Sequence, residues 1–304
     1  MSLAQVEAAT EAEPVGAEGG NLRRDAWLRL RRDPVAILGF ALIAFFVLVA
    51  VFAPFIAPYD PSDQPGRGLV TPANIPGPSA EHWFGLDELG RDEFSRVVFG
   101  ARQSLLVGVV ALLLGMAGGL LLGLLAGAFG GRVDTVVMRV VDVMLSLPGL
   151  LMAIAIAAVL GASLTSVMIA IAVINVPIFA RLLRGQMLAQ RESDYVLAAK
   201  ALGVRRRSIV LGHVLPNSIS PVIVQATLTL ATAIIEAAGL SFLGLGSADP
   251  GVPEWGRMLA ETQRYLAGAP HLAFFPGIAI VIAALGFTLL GERLREALDP
   301  KYRR

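Results

Sequence analysis

Side chains that commonly carry covalent or metal chemistry are scarce in this chain of 304 residues. It contains no cysteine, which excludes disulfides, thiolate metal sites and cysteine nucleophiles. Lysine occurs only at Lys200 and Lys301, and neither follows a glycine. A Walker A loop needs a lysine after glycine to contact nucleotide phosphates, so the chain is not itself a P-loop ATPase.

The remaining chemistry-bearing residues form no recognisable catalytic pattern. His82, His213 and His271 are far apart in the sequence, and no zinc-binding His-Glu-x-x-His pattern occurs. A Gly-x-Ser-x-Gly nucleophile elbow is also missing. We therefore predict a chain that is not an enzyme and that has no catalytic residues, metal site or cofactor of its own.

The composition indicates a membrane protein that crosses the bilayer several times. Hydrophobic residues make up 55% of the chain and charged residues 16%, against about 25% charged residues in typical soluble domains. The mean hydropathy is +0.68. So few charged side chains could not cover the surface of a soluble protein of this size.

Six stretches with few or no charges predict six transmembrane helices in an all-α fold. The first follows an arginine-rich segment and has 19 residues, which rise about 28 Å as a helix, close to the thickness of the hydrocarbon core. Its length and its distance from the chain start disfavour a cleaved signal peptide. The six stretches are 35–53, 103–131, 136–160, 167–180, 219–238 and 272–290.

Positive charge predicts the orientation of these spans. An even number of spans places both termini on one side, and the flanks on that side hold eighteen Lys and Arg against six on the other. By the positive-inside rule, both termini are cytoplasmic. The chain is predicted to begin with a cytoplasmic tail over 1–33, disordered over 1–20, followed by a first transmembrane helix over 34–57 and an external loop over 58–100. A membrane core over 101–291 contains a cytoplasmic loop at 181–215 and an external loop at 239–271. The chain then ends in a cytoplasmic tail over 292–304.

The cytoplasmic loop contains the pattern of a short helix. Ser193 or Asp194 can cap its start, and Gly203 can adopt the left-handed conformation that ends it. Three arginines at 205–207 and an amphipathic stretch follow. On these features alone, the loop could also be an ordinary basic segment bound to anionic lipid.

The spacing within this loop resembles the EAA signature of ABC importer permeases. Its elements are Ala198-Ala199, Gly203 and His213-Val-Leu-Pro216. Leu197 replaces the usual Glu and His213 the usual Ile, as in the peptide-importer branch. In that family the loop is a coupling helix that docks into a groove of the cytoplasmic ATPase. The resemblance implies ATPase-coupling residues at Asp194, Tyr195, Ala198, Ala199, Lys200, Gly203 and Arg205.

Three further regions resemble the dipeptide, oligopeptide and nickel permeases, specifically the second or C-type subunit. They are 82–105, 240–256 and 275–300, so the resemblance runs over most of the chain. It implies a type I ABC importer permease fold and alternating access that moves peptides across the cytoplasmic (inner) membrane. Nickel or another small solute is the alternative substrate.

The same resemblance implies a set of partners. These are a homologous permease in a heterodimer, two ABC ATPases that carry ATP and Mg, an external substrate-binding protein and membrane lipid, but no nucleic acid.

Two intramembrane residues are candidates for the translocation path, Glu236 and Asn175. A carboxylate within hydrocarbon is costly unless it faces a cavity or a partner, so Glu236 either lines the path or holds the turn at 239–246 through hydrogen bonds. Asn175 with Pro177 permits a kink. Candidate external contacts are Asp87, Arg91, Asp92, Arg96 and Trp255. If helical, Asp87–Arg91 and Asp92–Arg96 are i, i+4 pairs, which either meet the binding protein or anchor the second span.

Two other functional classes compete with an ATP-driven permease. An ion-driven secondary transporter would contain intramembrane ionisable residues and inverted repeats, but only Glu236 qualifies within the spans and no repeat is evident. An intramembrane enzyme would need paired catalytic groups at one depth, and the sequence shows none. Co-purification of an ATPase would separate the first class from the other two.

The predicted topology can be checked with reporter fusions. Fusions after Pro78 and Gly251 should report an external location, and fusions after Arg207 and Arg304 a cytoplasmic one, because positive flanks stay in the cytoplasm. An external signal at Arg207 would overturn the orientation and with it any contact between this loop and a cytoplasmic ATPase.

Overall fold

The chain folds into a bundle of α-helices. The computed structural model describes residues 27–71 and 74–298; the tail over 1–20 and the end of the C-terminal tail lie outside these ranges. Within them, the only β-structure is two isolated bridges. The helices are α1 Pro34–Ile56, α2 Glu93–Phe129, α3 Gly131–Ser146, α4 Gly149–Leu160, α5 Leu164–Arg191, α6 Asp194–Ala201, α7 Arg206–Ile209, α8 Leu215–Ser218, α9 Ser220–Phe242, α10 Trp255–Thr262 and α11 His271–Leu298, with a π-helical turn at Val210–Val214.

Five of these helices, α1, α2, α5, α9 and α11, are long and apolar enough to cross a membrane, and α3 with α4 makes a sixth if the bent pair is counted as one span. The all-α polytopic fold predicted from the sequence is therefore confirmed. The helices extend beyond the uncharged stretches, since α2 begins at Glu93 rather than near 103 and α5 continues to Arg191. Charged residues indicate where a span leaves the membrane. The helix itself can continue past that point, until it reaches its capping residues.

The third predicted span, 136–160, is not one continuous helix. Helices α3 and α4 meet at an angle of 93°. Leu147 is extended, with φ −92° and ψ 139°, and Pro148 precedes α4. Proline lacks an N–H and disfavours helical geometry in the residue before it, so the Leu147-Pro148 pair breaks the helix.

An ion pair joins α3 to α5. Asp142 bonds to Arg181 of α5 at 2.6 Å rather than to Arg139 on its own helix.

The segment at 239–271, predicted as loop, contains helix α10. Glu254 caps it, because its carboxylate accepts the backbone N–H of Gly256 at 3.0 Å and of Arg257 at 3.1 Å. Helix α9 also runs four residues into this segment, to Phe242. Glycine and proline are compatible here with short helical turns, which hydropathy alone does not reveal.

Helices α2 and α5 pack against each other at unusually short distance. Four glycines of α2, spaced by four residues, lie on the face that contacts α5. A Cβ on Gly119 would lie 2.5 Å from Cβ of Phe179 and 2.6 Å from the carbonyl oxygen of Val176. The absence of side chains therefore permits backbone-to-backbone contact, as in other small-residue interfaces of membrane helices. The four residues are Gly115, Gly119, Gly123 and Gly127.

The other long helices complete the bundle around this pair. Helix α9 packs on α2, and α11 packs between α9 and α1. Gly39 of α1 meets Gly286 of α11, since a Cβ on Gly39 would lie 3.0 Å from the Gly286 carbonyl oxygen. Helix α1 otherwise exposes apolar side chains along most of its length, which suits a surface in contact with lipid.

The ends of the helices fall into two groups. At one end, α1 begins and α11 finishes, where Arg293 approaches Asp33 at 3.9 Å. Asp33 also caps α1 by accepting the backbone N–H of Val35 at 2.8 Å. At the other end, the backbone N–H of Tyr59 donates to Ser95 near the start of α2. We refer to these as the α1 N-terminal end and the α2 N-terminal end of the bundle.

The glycine contact yields a prediction about stability. Gly119→Ala should destabilise the chain by about 1–3 kcal/mol, because the added methyl must displace backbone atoms of α5. Gly185→Ala is the matched control, since nothing lies within 4 Å of its Cβ position and alanine favours a helix. Thermal unfolding of the purified proteins in detergent measures both. Equal melting temperatures for Gly119→Ala and the parent would contradict the close contact.

Candidate coupling and translocation sites

Helix α6, in the segment between α5 and α9, is short and largely exposed, and its inner side is anchored by Val196 and Ala199. Val196 is fully buried and belongs to an apolar cluster that includes Met187 of α5 and Ile209 of α7. Ala198 is exposed, and Leu202, directly after the helix, is 83% exposed. The helix therefore presents small and apolar side chains outward from a fixed base.

The ends of α6 differ partly from the predicted caps. Gly203 has φ +74°, which is the predicted left-handed conformation. Ser193 stands at the N-cap, but its hydroxyl donates back to the carbonyl oxygen of Gln190 and makes no cap bond. Asp194 is the first helical residue and favours the helix through its charge near the N-terminus.

Tyr195 links α6 to both neighbouring helices. Its hydroxyl donates to Oε1 of Gln190 at 2.6 Å and accepts from Nδ2 of Asn217 at 3.3 Å. Asn217 also donates to the carbonyl oxygen of His213 at 2.9 Å, and the His213 ring stands edge-on to Tyr195. Lys200 and Arg205 are exposed. Six of the predicted coupling residues are exposed on this segment, whereas Ala199 packs against the apolar cluster. The exposed six are Asp194, Tyr195, Ala198, Lys200, Gly203 and Arg205.

Glu236 and Asn175 occupy different environments. The partly buried Glu236 lies in α9, and its Oε2 is buried without a hydrogen-bond partner among the described residues. Asn175 is buried in α5, donates to the carbonyl oxygen of Ile171 at 2.8 Å and lies where Gly115 of α2 approaches. Helix α5 is continuous through Pro177. The turn at 239–246 has no hydrogen bond from Glu236, so its predicted turn-holding role finds no support.

Arg91 and Arg96 form the centre of a buried ion-pair network at the α2 N-terminal end. Arg91 pairs with Asp87, as predicted from their spacing, although the segment is a turn. Arg96 pairs with Asp87 at 3.3 Å and not with Asp92. Both arginines also contact Oε2 of Glu261, at 3.4 and 3.3 Å. Both are 2% exposed or less, so the geometry favours anchoring of α2 over direct contact with another protein.

Asp92 and Trp255 are equally buried. Asp92 caps α2 by accepting the backbone N–H of Ser95 at 2.8 Å, and its other oxygen contacts Nδ1 of His82 at 2.9 Å. Trp255 is fully buried and donates through Nε1 to the carbonyl oxygen of Val97 at 3.0 Å. In this chain the five predicted external contacts therefore lie beneath the surface.

Two acidic residues of this end were missed by the sequence analysis. Glu261 neutralises both buried arginines, and the only sequence signal for it was an i, i+4 spacing with Arg257, whose Nε lies 2.7 Å from it. Glu254 caps α10 from a buried position, and this burial raises the pKa of its carboxyl. Burial, together with the charge of Asp87, also raises the pKa of Glu88.

No group of three or more His, Asp and Glu residues in the described ranges is placed to hold a metal ion. Charged side chains at this end instead neutralise one another.

Comparison with known proteins identifies the family. Residues 119–304 match the family described as binding-protein-dependent transport system inner membrane component. Residues 21–70 match the N-terminal TM domain of oligopeptide transport permease C. The chain belongs to the family of binding-protein-dependent transport system inner membrane components, as its motifs predicted.

Curated relatives cover nearly the whole chain. A dipeptide transport system permease protein DppC from Alkalihalophilus pseudofirmus is 47% identical over 91% of this chain and 90% of its own length. A glutathione transport system permease protein GsiD from Pectobacterium atrosepticum is 41% identical over 91% of each chain. A probable D,D-dipeptide transport system permease protein DdpC from Escherichia coli is 43% identical over 90% of each.

Solved structures share the fold at low sequence identity. A chain from the inward-facing MetNI methionine ABC transporter has a TM-score of 0.56 and 19% identity, covering 68% of this chain and 97% of that one. A chain from an amino acid ABC transporter has a TM-score of 0.52 and 16% identity, covering 66% and 92%. The fold is therefore that of ABC importer permeases.

Proposed function

We propose that this chain is the C-type permease subunit of an ATP-driven importer that moves dipeptides or oligopeptides across the cytoplasmic membrane by alternating access. It pairs with a homologous permease, two ABC ATPases that bind ATP and Mg, and an external substrate-binding protein. The chain performs no covalent chemistry, and both termini lie in the cytoplasm. The main observation that supports the proposal is the exposed α6 helix, which occurs in a chain of this family and has a surface suited to contact with another protein.

The surface of α6 supports docking to an ATPase. Leu197 and Leu202 are exposed, and exposing apolar side chains to water does not stabilise a protein. Their exposure therefore favours a surface that contacts a partner. Ala198 is exposed and allows a partner backbone to approach closely. Val196 fixes the helix to the core, so a force on the helix is transmitted to the bundle. A loop bound only to anionic lipid would not require this rigid, small-residue face.

Peptide transport is supported by the relatives. The names of the three relatives given above refer to dipeptide, glutathione and D,D-dipeptide transport. None of these names refers to nickel, so the nickel alternative is not favoured.

Glu236 is the stronger of the two candidates for the translocation path. Its buried Oε2 lacks a hydrogen-bond partner within the described residues, and an unpaired carboxylate in a membrane span needs a partner from elsewhere. The second permease or a substrate amino group would supply it. Asn175 is already bonded within α5 and packed against α2, which assigns it a supporting position beside the path.

Bulky substitutions in α6 test the coupling role. Ala198→Trp should lower substrate uptake by about tenfold or more, because Ala198 is exposed and a clash of about 1.4 kcal/mol at the interface has that effect. Gly203→Val should act similarly, because a β-branched residue resists the observed φ of +74°. Uptake and ATP hydrolysis by the reconstituted complex are measured, with pull-down of the ATPase.

Two matched variants control for general damage. Ala198→Ser keeps a small side chain, and Gly268→Val repeats the Gly203→Val change at a glycine with open space around it. Both should transport at nearly the parent rate. Parent-like transport by Ala198→Trp and Gly203→Val would contradict the coupling assignment.

Glu236→Gln tests the path assignment. The variant should assemble normally but take up peptides with a free amino group several-fold more slowly, because a neutral amide pairs less strongly with an ammonium group. Competition by an N-acetylated peptide provides the comparison, since its uptake should change little. A fall in assembly or melting temperature with unchanged peptide preference would assign Glu236 a structural role instead.

A further inference from the structure

The last carbonyl groups of α2 are bonded from outside the helix. Carbonyls in the final turn of an α-helix lack a donor within the helix. In α2, the backbone N–H of Gly130 donates to the carbonyl oxygen of Ala126 at 3.1 Å. The three carbonyls that follow, those of Gly127, Ala128 and Phe129, each accept from a guanidinium group.

Two arginines provide these donors. Nη1 of Arg191 donates to the carbonyl oxygen of Gly127 at 3.1 Å. Nη2 of Arg206 donates to the carbonyl oxygens of Ala128 at 2.6 Å and Phe129 at 3.0 Å. Cations at a helix C-terminus also interact favourably with the helix dipole. Charged donors form stronger hydrogen bonds than neutral ones, so the end of α2 is firmly capped.

These arginines lie on either side of α6 along the chain. Arg191 is the last residue of α5 and precedes α6, whereas Arg206 begins α7 and follows it. The segment that contains α6 is therefore attached to α2 at both of its ends. Beside Arg191, a Cβ on Gly127 would lie 2.9 Å from the sulfur of Met187. Helices α2 and α5 thus meet directly before the segment that contains α6.

We infer that Arg191 and Arg206 are positioning residues that transmit movement of α6 to α2. This inference rests on the proposed function, in which an ATPase moves α6. Neither arginine needs to touch nucleotide or substrate. Without their bonds, α6 would stay attached to α5 and the apolar cluster, but its displacement would reach α2 less completely.

The neighbouring Arg207 offers a matched control. It is exposed, and no hydrogen bond or ion pair of its side chain is found within the described residues. Arg207→Gln removes the same charge as Arg206→Gln from the adjacent position. An effect caused only by the loss of positive charge near the membrane would appear in both variants.

The experiment measures coupling in the complete importer reconstituted in vesicles. Arg191→Gln, Arg206→Gln, the double variant and Arg207→Gln are compared for peptide uptake per ATP hydrolysed. We expect a fall of about threefold for each single variant and about tenfold for the double variant, because a charge-assisted bond to a carbonyl contributes on this scale. Arg206→Lys should restore part of the ratio, since an ammonium group still donates to a carbonyl. Arg207→Gln should match the parent.

Pull-down of the ATPase and the melting temperature of the complex separate positioning from folding. The inference expects both to stay near the parent values while the uptake ratio falls. A parent-like ratio in the double variant would overturn it, and so would a loss of assembly or stability with an unchanged ratio in the remaining complex. A parent chain that binds no ATPase would overturn the proposed function itself.

Discussion

The close contact between α2 and α5 determines how the remaining helices are arranged. Lipid tails are as apolar as leucine, so helices in a membrane associate mainly through packing. Four glycines in α2 allow this packing at backbone distance, with a Cβ on Gly123 only 2.7 Å from the carbonyl oxygen of Ala180. Helices α4 and α9 share an apolar cluster with this pair, and α6 is anchored to it through Val196.

Buried charge organises the α2 N-terminal end in a different way. Irregular backbone near a membrane requires donors for its carbonyls. Arg91 donates to the carbonyl oxygen of Pro250 and Arg96 to that of Pro61, while both pair with carboxylates. One network thus fixes two proline-rich loops to the start of α2. Removing one member of a buried ion pair leaves an uncompensated charge, which explains why these residues occur as a set.

Hydropathy predicted where the chain crosses the membrane, because a long uncharged stretch seldom forms anything other than a transmembrane helix. It did not predict where helices end, as α2 and α5 show. Gly203 was predictable, since ending a helix in the left-handed region requires a residue without a Cβ. The break at Pro148 was also readable from local sequence, but the length of the apolar run obscured it.

Contacts between segments that are distant along the chain could not be predicted from the sequence. Glu261 lies 165 residues after Arg96, and no local spacing connects them. The caps on α2 from Arg191 and Arg206 depend in the same way on how α5 and α7 return to its end. The four-residue spacing of glycines in α2 is typical of close helix contacts, but nothing in it identifies α5 as the partner. Local rules therefore yielded most of the long helices, whereas tertiary geometry selected the ionic partners.

The length of α2 has a mechanical consequence. Its 37 residues extend about 55 Å at about 1.5 Å per residue, well beyond a hydrocarbon core about 30 Å thick. One end is held by the Arg91–Arg96 network, and the other is bonded to the segment that carries α6. Such a rod acts as a lever: a tilt of about 5° about one end displaces the other by about 5 Å, close to one helical turn. A small rotation is therefore sufficient to alter side-chain contacts at the far end of the bundle.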